Sequence, residues 1–272
     1  SKQSPNGNWT NYNTNSKLKN KAVLTIDKFG EYLILSVYGS GLLKFNPITG
    51  ETSNFELKEK GKKSKRIFTT LLDNNDIWVG GFDAPLKHYT NNVLVSTYKI
   101  GNARCIVAGE DHIMYVASSS GIYEINTLNK SINVIKDENN IYFDQKHTIL
   151  FDKQNNCLWI GNTQGLFNYN LSTKKIKQLN SVLNFESGTV FTIQKDSKEN
   201  LWFASYAGLW KLNIEKEIIR KYDNLDGLSI GTFGFGASTH SNDGRLAFGG
   251  PDGATLFDPL NIPIEKEVSK IH

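Results

Sequence analysis

Short apolar runs alternate with polar turns along the chain, and one unit of this pattern recurs. In residues 199–222, ENLWFASYAGLWKLNIEKEIIRKY, a polar turn precedes an apolar strand, a loop of small residues, a second strand, another turn and a third strand. Short apolar runs bounded by Gly, Asn, Asp and Ser are typical of β-strands. Similar stretches begin at Tyr32, Asp76, Asp111, Asn156 and Arg245.

The spacing of these copies predicts the architecture. A glycine, replaced by Pro85 in the second copy, precedes the later strand of each unit, at positions 41, 85, 121, 165, 208 and 253, which are 36 to 45 residues apart. A further apolar run precedes each copy and supplies an innermost strand. A period of this length with four short strands is typical of a β-propeller. The sequence therefore predicts an all-β fold, a β-propeller of six four-stranded blades.

Two interpretations concern how the blades pack. Trp202 and its counterparts Trp78 and Trp159 are interpreted as filling the space between adjacent sheets, because each sheet is apolar on both faces. The last copy lacks an outer strand, so residues 8–12, NWTNY, are predicted to complete the sixth blade and close the ring. The alternative is that this N-terminal strand belongs to a missing blade of a seven-bladed ring.

Composition narrows the class of protein. A hydrophobic content of 39% allows a sizeable core, and the net charge of +4 is too mild for a nucleic-acid-binding surface, so no nucleic-acid partner is expected. No apolar run of about 18 residues occurs, so any membrane contact would involve segments missing from this sequence. We expect residues 1–7 to be a flexible segment, 8–260 the propeller and 261–272 a linker towards a downstream domain.

The sequence contains no recognisable catalytic or metal-binding pattern. HExxH, CxxC, GxSxG and P-loop motifs are absent, and the five histidines are scattered. We therefore predict no catalytic residues, no metal and no cofactor, although a base–acid pair at the mouth of a propeller channel would leave no sequence motif. The basic run at residues 58–66, KEKGKKSKR, is interpreted either as a solvated loop or as a contact for a sulfated or uronic-acid glycan.

Three stretches carry a more specific signal. Residues 158–170 (LWIGNTQGLFNYN), 201–213 (LWFASYAGLWKLN) and 226–259 (DGLSIGTFGFGASTHSNDGRLAFGGPDGATLFDP) resemble the two-component regulator propeller family, the extracytoplasmic sensors of bacterial hybrid two-component systems and sensor histidine kinases. The resemblance implies a periplasmic domain followed by a small β-sandwich, a membrane helix and a kinase or cyclase. It covers almost the whole chain, although many relatives have seven blades.

In propellers, the loops from the outer strand to the next inner strand and from the second to the third strand gather on one face. Aromatic rings with neighbouring polar groups suit sugar binding, because apolar sugar faces stack on the rings while hydroxyls take hydrogen bonds. Packing against the loop itself or against a partner domain is the alternative for each residue. The candidate ligand-binding residues in these loops are Tyr38, Arg66, Phe82, Asp83, Arg104, Lys146, His147, Gln164, Tyr206, Phe233 and Asp252.

Three functions fit these observations. The first is a non-enzymatic periplasmic sensor that detects an oligosaccharide, forms a homodimer in the full-length protein and signals to a kinase. The second is an interaction scaffold that docks another protein. The third is a polysaccharide-active enzyme. Sugar binding without breakdown would favour the first, a broad apolar surface the second, and product formation the third.

Overall fold

The computed structural model describes residues 2–3, 8–12, 17–60, 65–73, 75–82, 84–136, 148–183, 185–186, 188–223, 226, 231–251 and 253–262. The predicted flexible segment 1–7 and linker 261–272 lie mostly outside these residues. Within them the regular secondary structure is almost entirely strand, with one short helix, α1 (Leu179–Val182). The fold is a β-propeller of six blades, as the sequence predicts.

The first three blades are complete four-stranded antiparallel sheets in chain order. A two-stranded sheet, β1 (Lys2–Gln3) and β2 (Trp9–Thr10), precedes them. Blade one contains β3 (Val23–Phe29), β4 (Tyr32–Val37), β5 (Gly41–Phe45) and β6 (Thr52–Asn54). Blade two contains β7 (Ile67–Asp73), β8 (Asp76–Gly81), β9 (Ala84–Thr90) and β10 (Val93–Tyr98). Blade three contains β11 (Ala103–Ala108), β12 (Ile113–Ser118), β13 (Gly121–Asn126) and β14 (Ile132–Ile135).

Blades four and five repeat this order, and three strands are described for blade six. Blade four contains β15 (Thr148–Asp152), β16 (Cys157–Asn162), β17 (Gly165–Asn170) and β18 (Ile176–Gln178). Blade five contains β19 (Val190–Lys195), β20 (Leu201–Ser205), β21 (Gly208–Asn213) and β22 (Ile218–Tyr222). Blade six contains β23 (Ser238–His240), β24 (Leu246–Gly250) and β25 (Gly253–Phe257).

The chain divides into two compact units within the fourth blade. The first unit comprises Ser1–Cys157 and Leu171–Lys175, and the second comprises Leu158–Asn170 and Ile176–His272. Each unit has its own apolar core. Blades one to three belong to the first unit, and blades five and six belong to the second.

Among the described residues, the N-terminal strand β2 pairs with β1, and β25 of blade six pairs with β24. The ring of Tyr12 packs edge-on against Phe45 of blade one, with ring centroids 4.9 Å apart. One sequence-based assignment needs correction. The position equivalent to the strand-opening glycines in blade two is Ala84, which pairs with Gly81, and not Pro85.

The cores of the described units lie between blades, as predicted for the tryptophans. Trp202 is fully buried among residues of blades five and six, including Tyr222 and Phe248. Trp78 is buried with Tyr98 of its own blade and Met114 of blade three. Burying a large aromatic ring removes a large apolar surface from water. Blades two and three therefore stabilise each other, and so do blades five and six.

A buried carboxylate holds the Trp202 ring in place. Asp196, at the turn before β20, accepts a hydrogen bond from the indole Nε1 of Trp202 at 2.8 Å. It also accepts the backbone N–H groups of Lys198 and Asn200, each at 2.9 Å, and the side-chain amide of Asn200. Buried polar groups are costly unless they are paired, and here the donors and the carboxylate satisfy one another.

We expect Asp196→Asn to lower the free energy of unfolding by about 2–3 kcal/mol, because an amide N–H₂ would replace an acceptor where a buried donor points. Guanidinium unfolding followed by tryptophan fluorescence would measure the loss. Asp258→Asn is the matched control, since Asp258 also accepts hydrogen bonds in a turn, from Leu260 and Asn261, but at an exposed site. Equal effects of the two substitutions would contradict a special role for the buried carboxylate.

Candidate functional site

In blades one, two, three and five, strand pairing brings three strand ends to one edge of the sheet. In blade five, Val190 at the start of the inner strand pairs with Ser205, which pairs with Gly208. Blade three repeats this arrangement with Ala103, Ser118 and Gly121. The loops in which the candidate residues lie leave the sheets at this edge, which we call the site edge.

A β-bulge near the site edge recurs in the innermost strands. The register shifts after the first residue of the strand in blades one, two, three and five, which leaves one residue of each inner strand unpaired. A bulge redirects the side chain of the extra residue and ends regular pairing. The extra residues are Leu24, Phe68, Arg104 and Phe191.

Two of these bulge residues take part in a row of side chains in the first unit, in which two phenyl rings lie between two guanidinium groups. The guanidinium carbon of Arg66 lies 4.4 Å from the centre of the Phe82 ring, and that of Arg104 lies 4.3 Å from the centre of the Phe68 ring. The two phenyl rings meet edge to face, with centroids 6.1 Å apart at 90°. We call these four residues the Arg–Phe stack. Three of them were predicted from the sequence, and Phe68 was missed.

Glycines allow the backbone segments of the Arg–Phe stack to approach closely. The amide of Phe82 donates to the carbonyl of Arg66 at 2.9 Å. A Cβ added to Gly81 would lie 2.3 Å from that carbonyl oxygen, and one added to Gly80 would lie 2.5 Å from the Cβ of Ala103. Both distances are shorter than any real Cβ contact, so larger residues would push Arg66 and the strand of Arg104 away from the stack.

A second aromatic cluster occupies the site edge in the second unit. The ring of Phe191 packs edge-on against Tyr206, at 4.7 Å, and against Phe235, at 4.8 Å. Tyr206 is 74% exposed and Phe235 is 48% exposed, whereas Phe191 is buried. We call these three residues the Tyr206 cluster. Among the described residues, no cationic side chain lies against Tyr206 or Phe191.

Phe233 does not have the exposed position that the sequence suggested. It is 6% exposed and packs in the core with Phe248, at a ring distance of 6.5 Å. A buried ring is not available to stack on a ligand, so the surface aromatic of this segment is Phe235, two residues further on. Positions 233 and 235 are two residues apart, so alternation along an extended segment places both side chains on the same face. The sequence pattern therefore does not show which of the two rings is buried.

The other candidates are not in either cluster. Tyr38 is exposed in the turn after β4, where the amide of Gly39 donates to the carbonyl of Lys65 at 2.8 Å. Gln164 is exposed in the turn after β16, and its backbone amide donates a hydrogen bond to Asn162 Oδ1 at 2.7 Å. Four candidates, Asp83, Lys146, His147 and Asp252, lie outside the described residues.

The start of the basic run is attached to blade two. Lys58 forms a parallel bridge with Val93, with its amide 2.7 Å from the carbonyl of Asn92. Glu59 forms an ion pair with Lys87, and both side chains are largely buried. A cavity of about 140 Å³ between blades one and two lies beside this pair. The described part of the run is therefore ordered against the sheet, while residues 61–64 lie outside the description.

The inner strands of blades one and two share a partly buried polar contact. The hydroxyl oxygens of Thr25 and Thr70 are 2.6 Å apart, and Thr70 donates to the carboxylate of Asp27. Burial raises the pKa of Asp27 from 3.8 to about 6, and the Thr70 hydrogen bond offsets part of that rise. Because the folded protein holds this proton more tightly than the unfolded chain, Asp27 stabilises the fold most below about pH 4. That contribution is lost as the pH rises through about 6.

We expect Asp27→Asn to raise the free energy of unfolding by roughly 1–3 kcal/mol at pH 8, because it removes the cost of ionising a buried carboxyl. The difference from the natural chain should vanish near pH 4, where Asp27 is protonated. Urea unfolding at both pH values would measure it. Asp111→Asn is the control, since Asp111 is exposed in a turn with φ of 48° that Asn accepts. A gain of equal size at both pH values would contradict the assigned cause.

Two other features bear on the class of protein. Among the described residues, no three His, Cys, Asp or Glu side chains come together as a metal site would require. The only helical element in the same residues, α1, is far too short to cross a membrane, and no other candidate span was found there. The fold and its site edge thus define a six-bladed β-propeller with aromatic clusters at strand ends.

Comparison with known proteins relates this propeller to bacterial signalling. No family model matches the chain. Over 247 residues it is 27% identical to Histidine kinase P4 of Formosa agariphila, an alignment that covers 82% of this chain and 18% of the kinase. The chain thus spans less than a fifth of that relative.

Solved structures share the fold. One is the extracellular domain of the putative hybrid two component system BT4673 from B. thetaiotaomicron, with a TM-score of 0.73 and 17% identity over 91% of this chain and 34% of that one. The extracellular domain of BT3049 from the same organism matches with a TM-score of 0.63 and 18% identity, over 89% and 39%. The resemblance to two-component sensors predicted from the sequence is confirmed.

Proposed function

We propose that this chain is an extracytoplasmic ligand-sensing domain of a bacterial two-component signalling protein, and that it detects an oligosaccharide. The observation that carries the proposal is the identity with a histidine kinase across most of the chain, in a fold shared with extracellular domains of two-component proteins. The site edge supports a ligand-binding role, because it presents aromatic rings in both units.

The oligosaccharide part of the proposal rests on the chemistry of the two clusters. Tyr206 offers an exposed ring face with a hydroxyl at its tip, and the Arg–Phe stack offers a half-buried phenyl ring beside cations. Sugar rings stack their C–H faces on aromatic rings and take hydrogen bonds at their hydroxyls. Rings fixed by edge-to-face contacts can bind with little loss of side-chain freedom.

Signalling would pass from the propeller to an output kinase in the full-length protein. In this proposal the domain lies in the periplasm, works in a homodimer, catalyses no reaction and contacts neither nucleic acid nor, directly, the membrane. A ligand shifts an equilibrium between two arrangements only by the difference in its affinity for them. Binding at the site edge would therefore have to favour one packing of the dimer.

We expect thermal unfolding of the 272-residue chain to shift upward with at least one class within a panel of neutral and acidic oligosaccharides, without breakdown of the sugar. Ligand at 100 times its dissociation constant adds about 2.7 kcal/mol of stability, which such a scan detects. At least one of the two variants Phe82→Ala and Tyr206→Ala should abolish the shift. Leu128→Ala should not, because Leu128 is exposed at the opposite edge of blade three. If no sugar raises the unfolding temperature, or both cluster variants retain the shift, the proposed binding role is wrong.

A scaffold function is the second candidate, and a specific observation favours it. The outer strands of blades two and three each expose a pair of β-branched residues, Val93 and Val95 in β10 and Ile132 and Val134 in β14. Exposed apolar pairs on edge strands are suited to docking another chain. This candidate would gain support if substitution of these residues by Thr abolished binding to another domain of the full-length protein.

A further inference from the structure

We propose that the Arg–Phe stack binds the anionic group of its ligand, so that the first unit recognises an acidic sugar carrying a carboxylate or sulfate. This inference rests on the proposed function and specifies the chemical class of the ligand. It depends on the position of Arg104, on the charge around it and on the contrast with the Tyr206 cluster.

Arg104 is held in place without using its hydrogen-bond donors. Its position at the bulge of β11 frees it from regular pairing, and its guanidinium lies over the ring of Phe68. A guanidinium carries five N–H donors and remains charged at any physiological pH. Within the described part of the chain, no carboxylate or carbonyl oxygen accepts a hydrogen bond from Arg104 or forms an ion pair with it. The contact with the ring thus orients the cation and leaves its donors for a ligand.

The partial burial of Arg104 indicates what kind of ligand group would bind it. Arg104 is neither fully exposed nor fully buried, so it has lost part of its hydration without gaining an anionic partner. Hydrogen bonds between a guanidinium and a carboxylate or sulfate are shorter and stronger than neutral ones, and they gain further strength where water is partly excluded. A planar two-oxygen anion matches the paired N–H groups of arginine. An anionic ligand group is the natural partner of this side chain.

The two chain segments that carry the arginines of the stack are basic. Residues 65–68 and 99–104 contain Lys65, Arg66, Lys99 and Arg104 and no acidic residue. Asp83 follows Phe82 in the chain and lies outside the described residues. A local excess of positive charge raises the concentration of anions near a site and speeds their association.

The Tyr206 cluster provides an internal contrast. It has an exposed ring, but no cation lies against Tyr206 or Phe191 among the described residues. Its chemistry suits a neutral sugar face. The two clusters are therefore expected to differ in how strongly ligand charge and ionic strength affect them.

The test uses pairs of oligosaccharides that differ only in charge. Isothermal titration of the 272-residue chain would compare an oligogalacturonide with its methyl ester, and a sulfated galactan oligosaccharide with its desulfated form. We expect one acid to bind on the order of tenfold more tightly than its neutral partner, and this advantage should shrink as salt increases. The pair that shows the difference identifies carboxylate or sulfate as the recognised group. Free glucuronate and inorganic sulfate, titrated alone, show whether the anion suffices.

Substitutions show whether Arg104 causes the preference for the acidic sugar. Arg104→Met keeps an apolar contact with Phe68 and should remove most of the preference for the acid over its neutral partner. Arg104→Lys keeps the charge but loses the paired donors, and should retain only part of the preference. Lys19→Met removes one positive charge from an exposed site of the same unit and should have no effect. Unchanged unfolding temperatures without ligand would show that the variants are folded.

The outcomes separate this inference from the proposed function. If neutral sugars bind and their acidic forms bind no better, or if Arg104→Met keeps the full preference, the inference is overturned while oligosaccharide sensing stands. If neither neutral nor acidic sugars bind, both proposals are wrong. If sulfate alone binds as tightly as the sulfated oligosaccharide, the site is an anion site without sugar recognition, and the assignment of an acidic sugar fails.

Discussion

The structure depends on the burial of apolar sheet faces between adjacent blades. Two of the described cores consist of side chains from two adjacent blades, with the large aromatic residues Trp78 and Trp202 in them. A single sheet of this kind would expose both of its apolar faces and would not be stable in water. The hydrogen bond from Trp202 to the buried Asp196 shows how the repeat fixes the orientation of its central residue: the turn that connects two strands also anchors the ring between blades.

This constraint leaves the site edge free to carry different chemistry. Strand pairing and inter-blade packing fix the body of the sheets, but the bulge near the site edge releases one residue of the inner strand from regular pairing in blades one, two, three and five. That single structural position holds Leu24 in blade one, Phe68 in blade two, Arg104 in blade three and Phe191 in blade five. Two of these residues build the Arg–Phe stack and one forms the centre of the Tyr206 cluster. A repeated backbone feature thus contributes residues to two clusters with different side chains.

Much of the fold could be predicted because the short apolar runs that form the strands, and the length of the repeat that contains them, can be recognised in the sequence. The strand order within each described blade, the number of blades and the burial of Trp78, Trp159 and Trp202 all follow from a unit of about 40 residues with two apolar faces. The pairing of Trp9–Thr10 was not predictable in the same way. A two-residue strand carries no alternation, and the contact of Tyr12 with Phe45 joins positions far apart in the chain.

The candidate site was only partly predictable, for a different reason. Loop position placed Arg66, Phe82, Arg104 and Tyr206 at the site edge, but the Arg–Phe stack also needs Phe68, which regular alternation assigns to a paired strand position. A bulge shifts the register by one residue and has no signature in a single apolar run such as IFTTLLD. Phe233 and Phe235 show the same limit, because their separation by two residues predicts one shared face and only contact with Phe248 decides which ring is buried.

The two clusters also differ in how firmly their rings are held, and this difference follows from their construction. In the Arg–Phe stack each phenyl ring contacts both a guanidinium and the other ring, and the close approach at Gly80 and Gly81 fixes the strands that carry them. Tyr206 is held through an edge contact with Phe191, in a turn, and most of its surface faces solvent. Side chains ordered during folding lose little further entropy when a ligand binds. The Arg–Phe stack therefore combines charge with pre-organisation, whereas the Tyr206 cluster offers a more exposed ring that is held by a single edge contact.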